Sequence, residues 1–338
     1  MQQWEPELVY SQGLQSIDAE RALLLSFPVI CYAHVYQGTC ATGRKCHSFP
    51  EPRPCHRTFG PMCLALHYPR RCGGLNPLRA LEMYRSQSRR NACLPQYESI
   101  LVASTAMQHE FARHGIQNDK LHLVPLPNLD ARPGVRLPEA RPLAENILFV
   151  GRLTDLKGVD YLIRAVPKAA ERLARPLRLT IAGDGPGRTW LQELAARLSV
   201  PAHFSGWLQP DAKYEAMRQA DLLAVPSLWP EPFGLVGIEA GSMGLPAVGF
   251  AVGGIPDWLL AGRTGEIAPG DPPSVGGLAD AIVRALQDRT HYLQLRREAF
   301  QASRRFTLEV HMAQLETLFG KAARHAAPLQ PRLANLTI

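Results

Sequence analysis

The sequence predicts an α/β protein of two domains built around parallel sheets. Three stretches of its second half share one pattern: an apolar run typical of a buried strand, a glycine- or proline-rich turn, and a helix. The first half shows strand and helix signals from Val29 to Val124. Between the halves, residues 133–145 contain three prolines and no periodicity, as linkers do. We therefore expect an N-terminal domain at 1–132 and a C-terminal domain at 146–310.

The amino-acid composition limits the classes of ligand and partner that the protein can be expected to bind. The chain has 338 residues and is 46% hydrophobic, which is enough for two domains that each bury a core. Its net charge of +7 favours acidic ligands or an anionic membrane surface. The arginines are scattered with no basic run longer than two, and no nucleic-acid motif is present. We therefore do not expect nucleic acid as a partner.

The N-terminal residues predict a cytoplasmic protein. They lack the basic head and apolar stretch of a signal peptide. The least polar segment, residues 22–43, has an apolar part well short of the ~20 residues that a membrane-spanning helix needs. Peripheral contact with the inner face of the membrane stays open.

The first half alternates strands with helices. Its Val/Ile-rich strand ends at His34, and a helix begins directly after the strand that contains Ser104. The predicted elements are strands at Glu7–Tyr10, Val29–Ala33, Ile100–Ser104 and Lys120–Val124, and a helix at Thr105–His114.

A cysteine-rich insertion interrupts this half at residues 38–74. It contains Cys40, Cys46, Cys55, Cys63 and Cys72, with His47, His56 and His67. The spacings match no CxxC zinc pattern, and disulfides are not expected without a secretion signal. Three interpretations stay open: a structural zinc site using four of these side chains, scattered thiols in a loop, or a redox role.

The C-terminal domain opens with a candidate anion site. A strand from Asn146 to Val150 leads into a loop with Arg152 and Lys157, and a helix follows at Val159–Ala174, which Pro167 should kink or end early. Two cations beside free N–H groups at a helix N-terminus suit a phosphate or diphosphate. The alternative is two solvated surface charges. Because the chain has only six lysines, one in this loop favours function.

A glycine-rich turn follows the next strand, Leu177–Ala182. Its sequence, Gly183 to Gly187, suits the close approach of a nucleotide, although a bare tight turn is an equally good interpretation. The dinucleotide-binding fingerprint is absent, because Arg188 stands where a third glycine would be needed.

Two glutamates distinguish the third stretch. The strand Leu222–Val225 leads into a loop with Glu231, and a helix opens near Gly234 with Glu239 inside it. Glu231 can reach a ligand above the helix N-terminus, where the N–H groups from Phe233 to Leu235 offer a second anion site. Glu239 can accept two ribose hydroxyls, or it can act as a structural cap or ion pair.

Taken in this order and spacing, the motifs resemble the C-terminal domain of retaining glycosyltransferases of family 4. That family has the GT-B fold, in which two Rossmann-like domains face a cleft. The shared residues are Gly151-Arg152 with Lys157-Gly158, Ala182-Gly183-Asp184-Gly185-Pro186, Gly206-Trp207, Ala220-Asp221 with Pro226-Ser227, Glu231-Pro232-Phe233-Gly234-Leu235 with Glu239-Ala240, and Gly253-Gly254-Ile255-Pro256.

The resemblance covers about Val29 to Leu286 and has one departure. The strand at Glu7–Tyr10 resembles one from the middle of the family's N-terminal domain, so we expect that domain to be shortened. Further expectations are a final helix at 311–325 that packs back on the N-terminal domain and a flexible tail at 326–338.

The resemblance implies a transferase. It would move a sugar from a nucleotide-diphosphate sugar to an unidentified acceptor hydroxyl with retention, in polysaccharide or glycolipid synthesis, and it would need no metal or other cofactor. In these roles, Arg152 and Lys157 would neutralise the leaving diphosphate, His34 and Glu231 would position the sugar, Glu239 would hold the ribose, the backbone near Leu208 would meet the base, and Gly183, Gly185, Phe233, Gly234 and Leu235 would complete the donor site.

Other functions compete with this one. A non-catalytic nucleotide-sugar-binding protein would keep the donor motifs without turnover, and a cysteine-rich metal or nucleic-acid module fused to a remnant domain is a third candidate. A glycosidase is disfavoured, because no paired carboxylates flank a sugar as hydrolysis requires.

Overall fold

The computed structural model describes residues 6–130, 137, 139 and 144–325, which form two compact units. Most of the predicted linker at 133–145 and the predicted tail at 326–338 lie outside the described residues. The first unit comprises the described residues up to Glu51, Cys55–Leu126, and those from Glu309 onward. The second comprises Pro52–Pro54 and Pro127–Leu308.

The first unit is built on four parallel strands. Their order across the sheet is β1 (Val9–Ser11), β2 (Val29–Ala33), β5 (Ser99–Val102) and β6 (Leu121–Leu123). Strand β2 has the predicted bounds, and the Ser104 hydroxyl accepts a hydrogen bond from the Met107 N–H, which starts α4 where β5 ends. The elements from the N-terminus to the end of this sheet are β1 (Val9–Ser11), α1 (Ile17–Ser26), β2 (Val29–Ala33), β3 (Cys46–His47), β4 (Arg53–Pro54), α2 (Met62–Ala65), α3 (Pro77–Cys93), β5 (Ser99–Val102), α4 (Thr105–Arg113) and β6 (Leu121–Leu123).

A buried ion pair fixes the helices of this unit. The Arg90 guanidinium on α3 pairs with the Glu20 carboxylate on α1, and the Tyr97 hydroxyl donates to the same carboxylate. Arg90 also donates to the carbonyl oxygens of Leu14 and Gln15 at 2.7 and 2.6 Å. One buried cation therefore holds α1 and the turn that precedes it against α3.

Replacing Arg90 with alanine should destabilise the first unit by about 3–5 kcal/mol, because Glu20 would stay buried without its cation. The neighbouring Arg89 is a matched control, since its side chain is 61% exposed and its alanine variant should change stability by at most about 0.5 kcal/mol. Urea unfolding followed by circular dichroism measures both. Equal midpoints for the two variants would contradict the structural role of the pair.

The cysteine-rich segment is organised around a buried lysine. Lys45 pairs with Glu110 on α4, and its ammonium donates to the Thr39 carbonyl at 3.4 Å. None of the seven cysteines forms a disulfide, and burial and neighbouring thiols raise the pKa of Cys72 to about 11. Within the described residues, no three Cys, His, Asp or Glu side chains are placed to hold a metal ion. The zinc interpretation therefore has no support among these residues, and the loop of scattered thiols and the redox role stay predictions.

The second unit is built on a six-stranded parallel sheet. Its order is β12 (Gly265–Ala268), β11 (Ala247–Phe250), β10 (Leu222–Val225), β7 (Asn146–Val150), β8 (Arg178–Ala182) and β9 (Ala202–Gly206). Its strand order reverses between β7 and β10, and in such open sheets ligands bind at the carboxyl ends of the strands at this reversal. The elements are β7 (Asn146–Val150), α5 (Val159–Leu173), β8 (Arg178–Ala182), α6 (Arg188–Arg197), β9 (Ala202–Gly206), α7 (Pro210–Gln219), β10 (Leu222–Val225), α8 (Leu235–Gly241), β11 (Ala247–Phe250), β12 (Gly265–Ala268), α9 (Val275–Leu286) and α10 (Arg289–Ser303).

Helix α5 corrects one expectation. Pro167 does not end it, and the helix continues to Leu173. Its inner face is buried along most of its length, so tertiary packing outweighs the missing N–H of the proline. The buried side chains are Val159, Leu162, Ile163, Ala165, Val166 and Ala169.

The division between the units differs from the predicted boundary at residue 132. The segment from Pro127 to Asp130 groups with the second unit, where the Asn128 N–H donates to the Phe306 carbonyl at 2.7 Å. The last described helix, α11, spans Leu308–His325. Its residues from Glu309 onward group with the first unit, where His311 Nδ1 lies 2.9 Å from the Pro125 carbonyl oxygen.

No helix in the part of the chain that the structure describes is both long enough and apolar enough to span a bilayer. The predicted shortening of the N-terminal domain stays a prediction.

Candidate functional site

The predicted site loops of the second unit meet at one edge of its sheet. The strands β7, β8 and β10 are parallel and adjacent, and they end at Val150, Ala182 and Val225. The loops after them carry Arg152, Lys157 and Glu231 and the glycine-rich turn. The sequence pattern therefore places its chemistry at the reversal of strand order, where a ligand is expected.

Close backbone packing explains the glycines of the turn. A Cβ on Gly183 would lie 1.9 Å from the Gly151 carbonyl oxygen, and one on Gly185 would lie 2.5 Å from that of Leu153. The Gly183 N–H donates to Gly206 at 2.7 Å. The loops after β7 and β8 thus pack backbone to backbone, which requires glycine whether or not a nucleotide binds there.

Lys157 and Glu231 come together as an ion pair between the ends of β7 and β10. The Ser227 hydroxyl donates to the same Glu231 oxygen at 2.6 Å, and the Lys157 ammonium lies 5.8 Å from the centre of the Trp229 ring. The Glu231 side chain is 8% exposed and that of Lys157 is 28% exposed. Ser227 and Lys157 therefore hold the Glu231 carboxylate in place, while the Lys157 ammonium keeps access to solvent.

The loop after β11 fixes the backbone of Glu231. The Gly254 N–H donates to the Glu231 carbonyl at 2.7 Å, and a Cβ on Gly253 would lie 2.2 Å from that oxygen. Any side chain at Gly253 would displace Glu231. Close packing against Glu231 therefore explains why residue 253 is glycine.

Helix α5 begins after Gly158, which has φ +62° and no side chain to cap the first turn. Burial raises the pKa of Asp160 in that turn, against the lowering effect of hydrogen bonds from the backbone N–H groups of Tyr161 and Asp160. The expected anion site at this helix N-terminus stays a prediction.

The other predicted cation, Arg152, is exposed, and its guanidinium has no hydrogen-bond or ion-pair partner among the described residues. It is not drawn into the Lys157–Glu231 pair. Its guanidinium is available to solvent at the loop after β7.

Glu239 is paired with a lysine that sequence reasoning missed. The Lys213 ammonium on α7 lies 3.0 Å from Glu239 Oε2 and 2.6 Å from Asp130 Oδ2. Burial alone would lower the pKa of Lys213, but the hydrogen bonds that its ammonium donates to Asp130 and Glu239 outweigh burial and raise the pKa. These three side chains line a cavity of about 220 Å³. The scarcity of lysine, which pointed to Lys157, was also a signal for Lys213.

The turn before α8 places the remaining donor-site candidates of this strand end. Phe233 is buried, and its carbonyl accepts a hydrogen bond from Trp258 Nε1 at 2.7 Å. Gly234 has φ +94°, a conformation that favours glycine, and Leu235 is 39% exposed. Trp258 thus fixes the turn from beneath.

Leu208 and His34 lie elsewhere. Leu208 is half-buried and borders a groove along β7, β8 and β9, not the cavity of Glu239. His34 belongs to the first unit, where it follows β2. Its Nε2 lies 3.3 Å from Gln12 Oε1, its ring contacts Tyr32 at 4.8 Å, and burial lowers its pKa.

Substituting Gly183 with alanine should lower the free energy of unfolding by more than about 2 kcal/mol, since the new methyl group would overlap the Gly151 carbonyl. Gly276 in α9 is the control, because a Cβ there meets no atom within 4 Å and alanine should be neutral or slightly stabilising. Thermal unfolding compares the two. A Gly183→Ala variant as stable as Gly276→Ala would refute the loop packing described above.

Comparison with known proteins supports the motif pattern. Residues 139–302, a little under half of the chain, match the family described as glycosyl transferases group 1. An uncharacterized glycosyltransferase of Methanocaldococcus jannaschii is 39% identical over 140 residues, which cover 40% of this chain and 35% of that protein. The D-inositol 3-phosphate glycosyltransferase of Corynebacterium efficiens is 35% identical over 186 residues, covering 53% and 43%.

A third relative, the glycogen synthase of Mycobacterium tuberculosis, is 34% identical over 205 residues, covering 59% of this chain and 47% of that protein. The matches therefore span less than half the length of each of these three curated relatives.

Solved structures agree on the fold. The sucrose-phosphate synthase of Thermosynechococcus elongatus has a TM-score of 0.64 at 20% identity, covering 94% of this chain and 74% of that one. The Anabaena protein HepE, in complex with UDP and glucose, has a TM-score of 0.63 at 18% identity, covering 93% and 78%. The chain thus has the α/β architecture of two Rossmann-like domains, and its residues 139–302 are similar to glycosyl transferases group 1.

Proposed function

We propose that the protein is a retaining glycosyltransferase that moves a sugar from a nucleotide-diphosphate sugar to an acceptor hydroxyl. The observation that carries this proposal is the Lys157–Glu231 pair at the carboxyl ends of β7 and β10. The pair combines a partly exposed cation with a buried, hydrogen-bonded carboxylate at the place where parallel sheets bind nucleotides. The resemblance to retaining transferases of family 4 supplies the stereochemical outcome.

Lys157 would act on the leaving group. In the free protein its charge is balanced by Glu231, and a bound diphosphate would offer the ammonium a second anionic partner. Negative charge grows on the diphosphate as the sugar departs, so a cation already held in place stabilises that charge with little reorganisation. The exposed guanidinium of Arg152 would grip the diphosphate from the loop after β7.

Glu231 would position the transferring sugar. Ser227 and Lys157 both contact its Oε1, so lone pairs remain on the carboxylate for a sugar hydroxyl. His34 has a lowered pKa and is therefore neutral at pH 7, a form in which one ring nitrogen donates and the other accepts. The resemblance gives it the role of hydrogen-bonding the same sugar.

The donor is proposed from both the resemblance and the neighbours. Because HepE of Anabaena is described with UDP and glucose, UDP-sugars are the first donors to test. Glu239 would hold the ribose, and the backbone near Leu208 would meet the base. Gly183, Gly185, Phe233, Gly234 and Leu235 would shape the remaining donor site, and no metal or other cofactor is proposed for the chemistry.

Lys157→Met should reduce release of nucleoside diphosphate from the best donor by about 10²–10³-fold, because it removes one charge from the leaving-group site. Lys168→Met, on the exposed side of α5, is the matched control and should retain full activity. The assay screens a panel of UDP-, GDP- and ADP-sugars with saccharide and lipid-linked acceptors. Identical rates for Lys157→Met and the wild-type protein would reject the proposed role.

A non-catalytic nucleotide-sugar-binding protein is the alternative, and the same panel separates the two. Calorimetric binding of a nucleotide sugar without release of nucleoside diphosphate, for every acceptor, would favour the binding protein. Release that depends on an added acceptor would favour the transferase.

Exposed apolar side chains and exposed arginines occur together in residues 57–89 of the first unit. Leu75 and Leu78 are 81% and 77% exposed, and Met62 is 52% exposed. Between residues 57 and 89 the exposed charges are arginines apart from Glu82. We propose that these side chains form a surface that contacts anionic lipid at the inner face of the membrane, as a glycolipid acceptor would require, because apolar side chains among cations favour such a bilayer.

The double variant Leu75→Ser, Leu78→Ser should bind vesicles of phosphatidylcholine and phosphatidylglycerol about tenfold more weakly than the wild-type protein. The reason is that it removes apolar surface that would be buried in the bilayer on binding. Leu308→Ser, at a 46% exposed leucine outside the surface, is the control. Sedimentation with the vesicles measures bound protein. No binding by the wild-type chain, or equal binding by all three proteins, would contradict the membrane contact.

A further inference from the structure

The lysine beside Glu239 has no role in the site as proposed so far. Lys213 lies on α7 and reaches Glu239 on α8 and Asp130 in the segment that precedes the second sheet. All three residues belong to the second unit. Their side chains line the cavity of about 220 Å³ in which Glu239 would meet a ribose.

The hydrogen-bonding capacity of Lys213 is not exhausted. An ammonium has three N–H donors. One donates to Asp130 Oδ2 at 2.6 Å and one to Glu239 Oε2 at 3.0 Å, and within the described residues no further acceptor is bonded to the third. The raised pKa of Lys213 keeps the group charged at neutral pH. The cavity therefore contains a fixed cation with one donor to offer.

The two carboxylates constrain where that donor can point. Asp130 and Glu239 hold the ammonium from two sides, so the lysine chain is ordered before a ligand arrives and loses less freedom on binding. Glu239 can only accept, whereas a ribose diol has two hydroxyls that each donate and also accept. Lys213 supplies the donor that Glu239 lacks.

We propose that Lys213 is a donor-recognition residue that selects ribonucleotides by donating a hydrogen bond to one of the two ribose hydroxyls. This inference rests on the proposed function only in assigning Glu239 to the ribose. Glu239 accepts from the diol, Lys213 donates to it, and Asp130 positions the ammonium. A nucleotide without the contacted hydroxyl leaves the Lys213 donor unpaired in the cavity, which a polar site penalises strongly.

The test compares nucleoside diphosphates with their deoxy analogues on the full chain. Calorimetry first identifies which of UDP, GDP and ADP binds most tightly. The 2′-deoxy and 3′-deoxy forms of that nucleotide are then titrated into the wild-type protein, Lys213→Met, Lys213→Arg and Lys168→Met. Thermal unfolding of each variant establishes that it is folded.

The wild-type protein should prefer the ribonucleotide to one of the two deoxy forms by about tenfold or more. Lys213→Met should bind the ribonucleotide about tenfold more weakly and that deoxy form as before, so that the preference disappears. Lys213→Arg should retain part of the preference because it keeps a charged donor, and Lys168→Met should match the wild-type protein.

The remaining outcomes overturn the inference in distinguishable ways. Equal weakening of all three nucleotides in Lys213→Met would mean that the lysine only holds Glu239 in place. An unchanged preference would mean that Lys213 does not face the ribose. Failure of the wild-type chain to bind any nucleoside diphosphate would overturn the proposed function as well, whereas binding without sugar transfer would leave the role of Lys213 intact.

Discussion

Close approach of backbone segments at the carboxyl edge of the second sheet is the constraint on which the candidate site depends. Carbonyl oxygens occupy the space beside Gly158, Gly183, Gly185 and Gly253, and a Cβ on Gly158 would lie 2.0 Å from the Pro226 carbonyl oxygen. The loops after β7, β8, β10 and β11 can pack this tightly only where a side chain is missing. That packing leaves Lys157 and Glu231 within reach of each other.

The electrostatics of the second unit follow from this packing. Two partly buried carboxylates, Glu231 and Glu239, would each be costly without a partner, and each is paired with one lysine. Lysine is rare in this chain, which has six lysines and 31 arginines. A compact ammonium satisfies a carboxylate and still has donors left, whereas a guanidinium would fill much more of the space that a ligand needs. Lys157 therefore balances the charge of Glu231 before a ligand binds, whereas Lys213 is shared between Glu239 and Asp130.

The sequence predicted the regular elements well and the contacts between them poorly. The bounds of β2, β7 and β10 match the apolar runs, because a buried parallel strand must be apolar on both faces. Pro167 does not end α5 early, since the local cost of the proline is small beside the burial of the helix. The roles of Lys213 and Trp258 were missed because their partners are distant in sequence. The contact of Ser227 with Glu231, four residues away, was also missed.

The order of residues alone determined the α/β class, the two-domain division and the strand ends at which the candidate residues lie, because hydrophobic periodicity and glycine placement are local properties of a chain. Only the tertiary structure decided which charges meet. It paired Lys157 with Glu231 and Lys213 with Glu239, and it left Arg152 exposed. A charge pair depends on the distance between elements far apart in sequence, and no local pattern encodes that distance.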